Sequence, residues 1–135
     1  EVLGRTMNLI ADEDDMLEEM ASDLVKCNMA WTEALPDRPP AYEEGGVLAP
    51  ELGTQPVPLQ RRAAVQVLQA MLGPDARVET ASIDAVLAAW DEPGTPQAAP
   101  HGGYVANIQG NLAISANKHG VRLEPMAAFR ARRRK

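Results

Sequence analysis

The stretch VANIQGNLAISANKHGVRLEP, residues 105–125, decides the fold class, because two different periods fit it. In a helical reading Val105, Ile108, Leu112, Ala116 and His119 share one face at steps of three and four, and Gly120 is the C-terminal cap. A short second helix then starts at Pro125 and carries Met126, Phe129 and the arginines. In a strand reading Gly110-Asn111 is a two-residue hairpin turn and Asn117-Lys118-His119-Gly120 a longer one, giving a three-stranded meander. The helical period holds for four steps and β-branched residues are few, so helix is the preferred reading.

The rest of the chain points the same way. A length of 135 residues suits a single domain with one core. Aromatic residues are only 4% of the chain, so burial must come from Leu, Val, Ile, Met and Ala, which favours helix-on-helix packing. Residues 1–35 read as a long amphipathic acidic helix, with Leu3, Ile10, Leu17, Leu24 and Trp31 recurring every seven positions and Met20 and Cys27 beside them. Pro36 ends it. Residues 36–58 hold six prolines and read as a proline-rich connector without regular structure. Residues 59–135 form the helical remainder with a basic tail. Within it one helix runs from Pro58 to Leu72, stopped by Gly73-Pro74, and another from Thr80 to Trp90. The expectation is therefore an all-α fold of four or five helices joined by proline-rich connectors, with room for a small β-hairpin near the C-terminus.

Charge is divided along the chain. Residues 1–51 carry 13 acids and 3 bases, a net of −10, while residues 121–135 carry one acid and six bases, a net of +5. The middle is nearly neutral, and the total is −6. Two oppositely charged segments suit two contact surfaces, or one contact between the ends. The longest apolar runs fall short of the roughly 20 residues of a membrane span. No basic-then-apolar leader opens the chain, and the single cysteine excludes an intrachain disulfide. Together these point to the cytoplasm, or to a particle assembled inside the cell. Glu1 in place of Met hints at processing or a longer chain.

Candidate chemistry is sparse. Asp12-Glu13-Asp14-Asp15 lacks the alternating oxygen ligands and the turn glycine of a calcium loop. His101-Gly102-Gly103 resembles an oxyanion-hole turn, but Ser22, Ser82 and Ser115 sit in no nucleophile elbow. Cys27 lies on the apolar stripe, and both His101 and His119 are distant in sequence. One cysteine and two histidines are a thin supply for zinc. No catalytic residue, metal ligand or cofactor is expected, and an enzymatic role ranks last.

Two features carry functional content. The stripe Leu3, Ile10, Leu17, Leu24 and Trp31 is a candidate partner seam, either within the fold or toward a second subunit. Arg122, Arg130, Arg132, Arg133, Arg134 and Lys135 are candidates for binding phosphate or an acidic partner. A helix–Gly120–helix arrangement would set the basic helix second, as in a helix-turn-helix. Residues 120–132 also resemble the Gly-Leu-Thr-Pro…Arg ending of some phage terminase small subunits, with a longer Gly-to-Pro spacing. That resemblance implies assembly machinery. The expected function is a non-enzymatic interaction or assembly subunit, with other protein subunits as partners and homo-oligomerisation open. Nucleic-acid binding through the basic C-terminal helix is the alternative.

Overall fold

The computed structural model describes residues 2–32, 36–37 and 41–133, with side chains from residue 14 onward. Helix α1 spans Val2–Asn28 and passes directly into strand β1, Met29–Trp31. Asn28 closes the helix by donating its side-chain amide to the Leu24 carbonyl at 2.9 Å. The helix is thus shorter than the stripe suggested, and Trp31 lies on a strand. Strand β2, Gly46–Leu48, and 3-10 turns at Tyr42–Glu44 and Pro50–Thr54 occupy the stretch expected to be an irregular connector. The prolines flank this strand on both sides and leave its backbone donors free to pair.

Helix α2, Val57–Leu72, carries Pro58 in its first turn, where a missing N–H costs nothing. It ends at Gly73, where φ is 114°. Helix α3 spans Thr80–Leu87. Strands β3, Trp90–Asp91, and β4, Ala99–Pro100, form a small ribbon of their own. Then come β5, Val105–Ile108, β6, Leu112–Asn117, β7, Gly120–Pro125, and helix α4, Met126–Arg133.

The all-α expectation is therefore wrong. The chain is a mixed α/β fold whose main sheet is five-stranded and antiparallel, in the order β1-β2-β7-β6-β5. The stretch 105–125 is a meander, and the helix–Gly120–helix arrangement does not exist. Its two turns have the lengths opposite to those the strand reading assigned. Ile108 pairs with Leu112 across a three-residue turn in which Gly110 (φ 71°) and Asn111 (φ 56°) are left-handed. Asn117 pairs with Gly120, leaving only Lys118-His119 between them. At Gly120 φ is 140°, and an added Cβ would lie 2.2 Å from the Leu48 carbonyl oxygen, so only glycine lets β2 approach here.

One sheet face makes the main core. Leu48, Ile114, Val121 and Leu123 meet Ala63, Val67 and Leu68 of α2 and Val86 of α3. Each of the larger of these side chains contributes about 1.5–3 kcal/mol by leaving water. Leu24 and Val25 of α1 pack on the same cluster. Among the described residues, the opposite, outer face is covered at one corner, where Met126 and Phe129 of α4 close over Ala113. That corner is where the arginines are held.

Candidate functional site

Helix α4 sets Met126 and Phe129 three residues apart, so one face is buried and Arg130, Arg132 and Arg133 are turned to solvent. Arg132 reaches back to β7. Its Nη2 lies 2.6 Å from Glu124 Oε2, and its Nε 3.4 Å from Oε1. The Glu124 side chain is only 7% exposed, so this guanidinium neutralises a carboxylate that has left water. The hydrogen bond to Glu124 raises the Arg132 pKa above its ordinary value, against a smaller lowering by burial. The guanidinium carbons of Arg132 and Arg133 lie 5.6 and 5.3 Å from the centre of the Phe129 ring, within cation–π range.

Between α4 and the β5–β6 edge lies a cleft of about 260 Å³, lined by Tyr104, Val105, Ser115, Asn117, Phe129, Arg132 and Arg133 among others. The strand register extends this surface across the sheet. Val105 is opposite Ser115, Ser115 opposite Arg122, Arg122 opposite Val47, and Val47 opposite Ala30. These five residues form one transverse row on the outer face.

Among the described residues, the basic side chains divide into two groups. Arg61 pairs with Asp84 at 2.7 Å, Arg62 with Glu18 at 2.7 Å and Asp14 at 3.3 Å, and Arg132 with Glu124. Lys26, Arg77, Lys118, Arg122, Arg130 and Arg133 have no carboxylate partner among the described residues, and the last three lie on the outer side of the sheet. Of the expected phosphate or acidic-partner residues, Arg132 and Arg133 line the cleft, Arg122 lies on β7 and Arg130 is exposed on α4, while Arg134 and Lys135 lie outside the described residues. Sequence reasoning missed Ser115, Asn117 and Tyr104 in this cleft, because only strand pairing brings them beside α4.

The expected partner seam is divided. Leu24 packs on the core, Leu17 is half-buried, and Trp31 meets Tyr42 edge-to-face with ring centres 4.8 Å apart. The side chains of Leu3 and Ile10 lie outside those described. Asp14 and Glu18 face Arg62 and Gln66 of α2, so part of the N-terminal acidity serves to dock α1. Asp15, Glu19 and Asp23 remain exposed.

Two other groupings bear on catalysis. Cys27 and His119, remote in sequence, line a common cleft of about 270 Å³ with Asn28, Met29, Ala30, Val47, Ala49 and Pro50. Among the described residues no acidic group lines this cleft. His101 Nδ1 lies 2.8 Å from Asp91 Oδ1 on the β3–β4 ribbon, with both side chains more than half exposed. Among the described residues no three His, Cys, Asp or Glu side chains converge to hold a metal, and no helix is long and apolar enough to cross a membrane. No known protein family, characterised protein or solved structure shows significant similarity to the chain.

Proposed function

We propose that the chain is a non-enzymatic interaction module that binds an acidic partner protein through α4 and the outer face of the sheet. The observation carrying this reading is that Arg122, Arg130 and Arg133, on β7 and α4, have no carboxylate partners among the described residues, and that Arg133 lines an open cleft. Among the exposed acids, Asp15, Glu19 and Asp23 belong to α1, which packs on the other layer of the fold, and others lie in the loops and on α3. Such a charge division steers an acidic partner toward one side and repels it from the other.

A nucleic acid fits this surface less well. Phe129, the aromatic residue of α4, is only 8% exposed and flanked by guanidinium groups, so it offers no face for base stacking. Three unpaired arginines on this face of a chain whose net charge is −6 also release few counterions from a polyanion.

Fluorescence anisotropy with a labelled oligoglutamate and a labelled single-stranded oligonucleotide, over a range of salt, separates the two. Oligoglutamate should bind in a salt-sensitive way, and the Arg130→Glu, Arg133→Glu double variant should lose that binding. Equal affinity of the double variant would sink the proposal, and binding of the oligonucleotide alone would replace it with the nucleic-acid reading.

A further inference from the structure

Strand β5 is the outermost strand of the sheet beside the arginine cleft, and among the described residues no strand pairs with its outer edge. The phase of its hydrogen bonding follows from one contact. The Ala116 N–H donates to the Tyr104 carbonyl at 3.0 Å. In an antiparallel ladder bonded pairs alternate, so Ala106 pairs with Ile114 through its backbone polar groups. Val105 and Asn107 then direct their N–H and C=O groups away from β6. That makes two donors and two acceptors in a row on the free edge.

Edge strands are ordinarily guarded by charges, proline or a bulge, since an open row of donors and acceptors is a template for another strand. Val105-Ala106-Asn107-Ile108 has no charged residue and no proline, and Val105 is 44% exposed. A residue opposite Val105 on an added strand would share its face of the sheet. That face is the one on which Arg133 stands at the cleft wall.

We propose that an extended acidic peptide adds to β5 as a sixth strand. Its backbone pairs with Val105 and Asn107, and one of its carboxylates enters the cleft beside Arg133. Arg132 is already occupied by Glu124, so it positions Phe129 and the cleft wall, and Arg133 is the cation that meets the ligand. Ser115 and Asn117 supply polar contacts at the cleft floor. Main-chain pairing gives the affinity and the carboxylate gives the selectivity. This inference rests on the acidic-partner reading above and specifies the partner's conformation.

The test uses a capped Val-Glu-Val-Glu-Val peptide and two versions of it, N-methylated at odd or at even amides. Only one set of amides faces β5, so one methylated peptide should lose binding while the other keeps it. Asn107→Pro removes a donor that plays no part in the β6 ladder, a position where edge strands tolerate proline. It should keep the melting temperature and weaken the parent peptide by about tenfold or more, as loss of a bond and a steric block imply. Arg133→Ala should weaken the Glu peptide but not a Gln counterpart. If both methylated peptides bind like the parent, or both lose binding equally, strand addition is overturned. If oligoglutamate binds and the Val-Glu peptide does not, the basic surface stands and the edge proposal falls. If neither binds, both fall. Concentration-dependent dimerisation abolished by Asn107→Pro, without peptide binding, would assign the edge to a second copy of the chain instead.

Discussion

Arg132 and Glu124 are bonded through two nitrogens and two oxygens across the junction of β7 and α4, and the carboxylate side of the pair is almost wholly buried. Removing the guanidinium strands that carboxylate. Arg132→Ala should cost about 1–3 kcal/mol in urea unfolding, and Arg132→Ala combined with Glu124→Gln should recover part of it. The Arg132 pKa is raised in the folded state, so the stability it supplies is complete below the ordinary arginine value and lost only above it. The cost should accordingly stay level from neutral pH up to about pH 10.

Tyr104 donates its hydroxyl to the Ala85 carbonyl at 2.8 Å, and burial pushes its pKa up. A raised pKa on an acid means the neutral form is favoured in the folded state. Stability should be full below the ordinary tyrosine value of about 10 and decline as pH rises through and beyond it. Tyr104→Phe should flatten that alkaline decline, at a cost of about 1 kcal/mol at neutral pH. An unchanged alkaline slope in the variant would show that other groups set it.

Gly53 lies against the buried ring of Trp90, where an added Cβ would come within 2.2 Å of the indole. Its carbonyl also accepts from Gln60 Nε2 at 2.9 Å and from the Gly94 N–H at 2.8 Å. Gly53→Ala must therefore move a rigid indole or break both bonds. We expect a loss of about 1–3 kcal/mol, read by urea titration of tryptophan emission.

Docking of α1 should depend on apolar contact more than on charge. Arg62 and its partners Asp14 and Glu18 are all partly exposed, so Arg62→Ala should cost less than about 1 kcal/mol and fade with salt. Leu24→Ala should cost more and be indifferent to salt, because Leu24 packs on the central cluster. Hydrogen exchange over residues 14–28 would report both, and the opposite ranking would refute the view of α1 as hydrophobically seated.

The helices α2 and α3 were legible because each has one buried face and a recognisable start or stop, as at Pro58 and Gly73. The meander was not, and β6 shows why. Leu112, Ala113 and Ile114 are all buried, since α2 covers one face of the strand and α4 the other. A strand covered on both faces loses the alternation that announces it. The alanines at 113 and 116 then supplied a helical bias that tertiary packing overrode. The basic residues of the site were visible by composition, but their separation into paired Arg132 and unpaired Arg130 and Arg133 was not. That division depends on Glu124 being carried beneath α4 by a strand.

Strand β7 lies in the middle of the sheet, between β2 from the first half of the chain and β6 beside it in sequence. During synthesis β1, β2 and α2 therefore emerge long before the strand that joins β2 to β6. Until residues 120–125 leave the ribosome, β2 lacks its inner neighbour and the apolar face of α2 lacks part of its cover. The pairing of Gly46–Leu48 with Val121–Leu123 closes a long loop, which is slow by chain topology. A nascent chain stalled before Val121 then leaves that apolar surface and the inner edge of β2 open, the two features that make partly folded chains prone to aggregate.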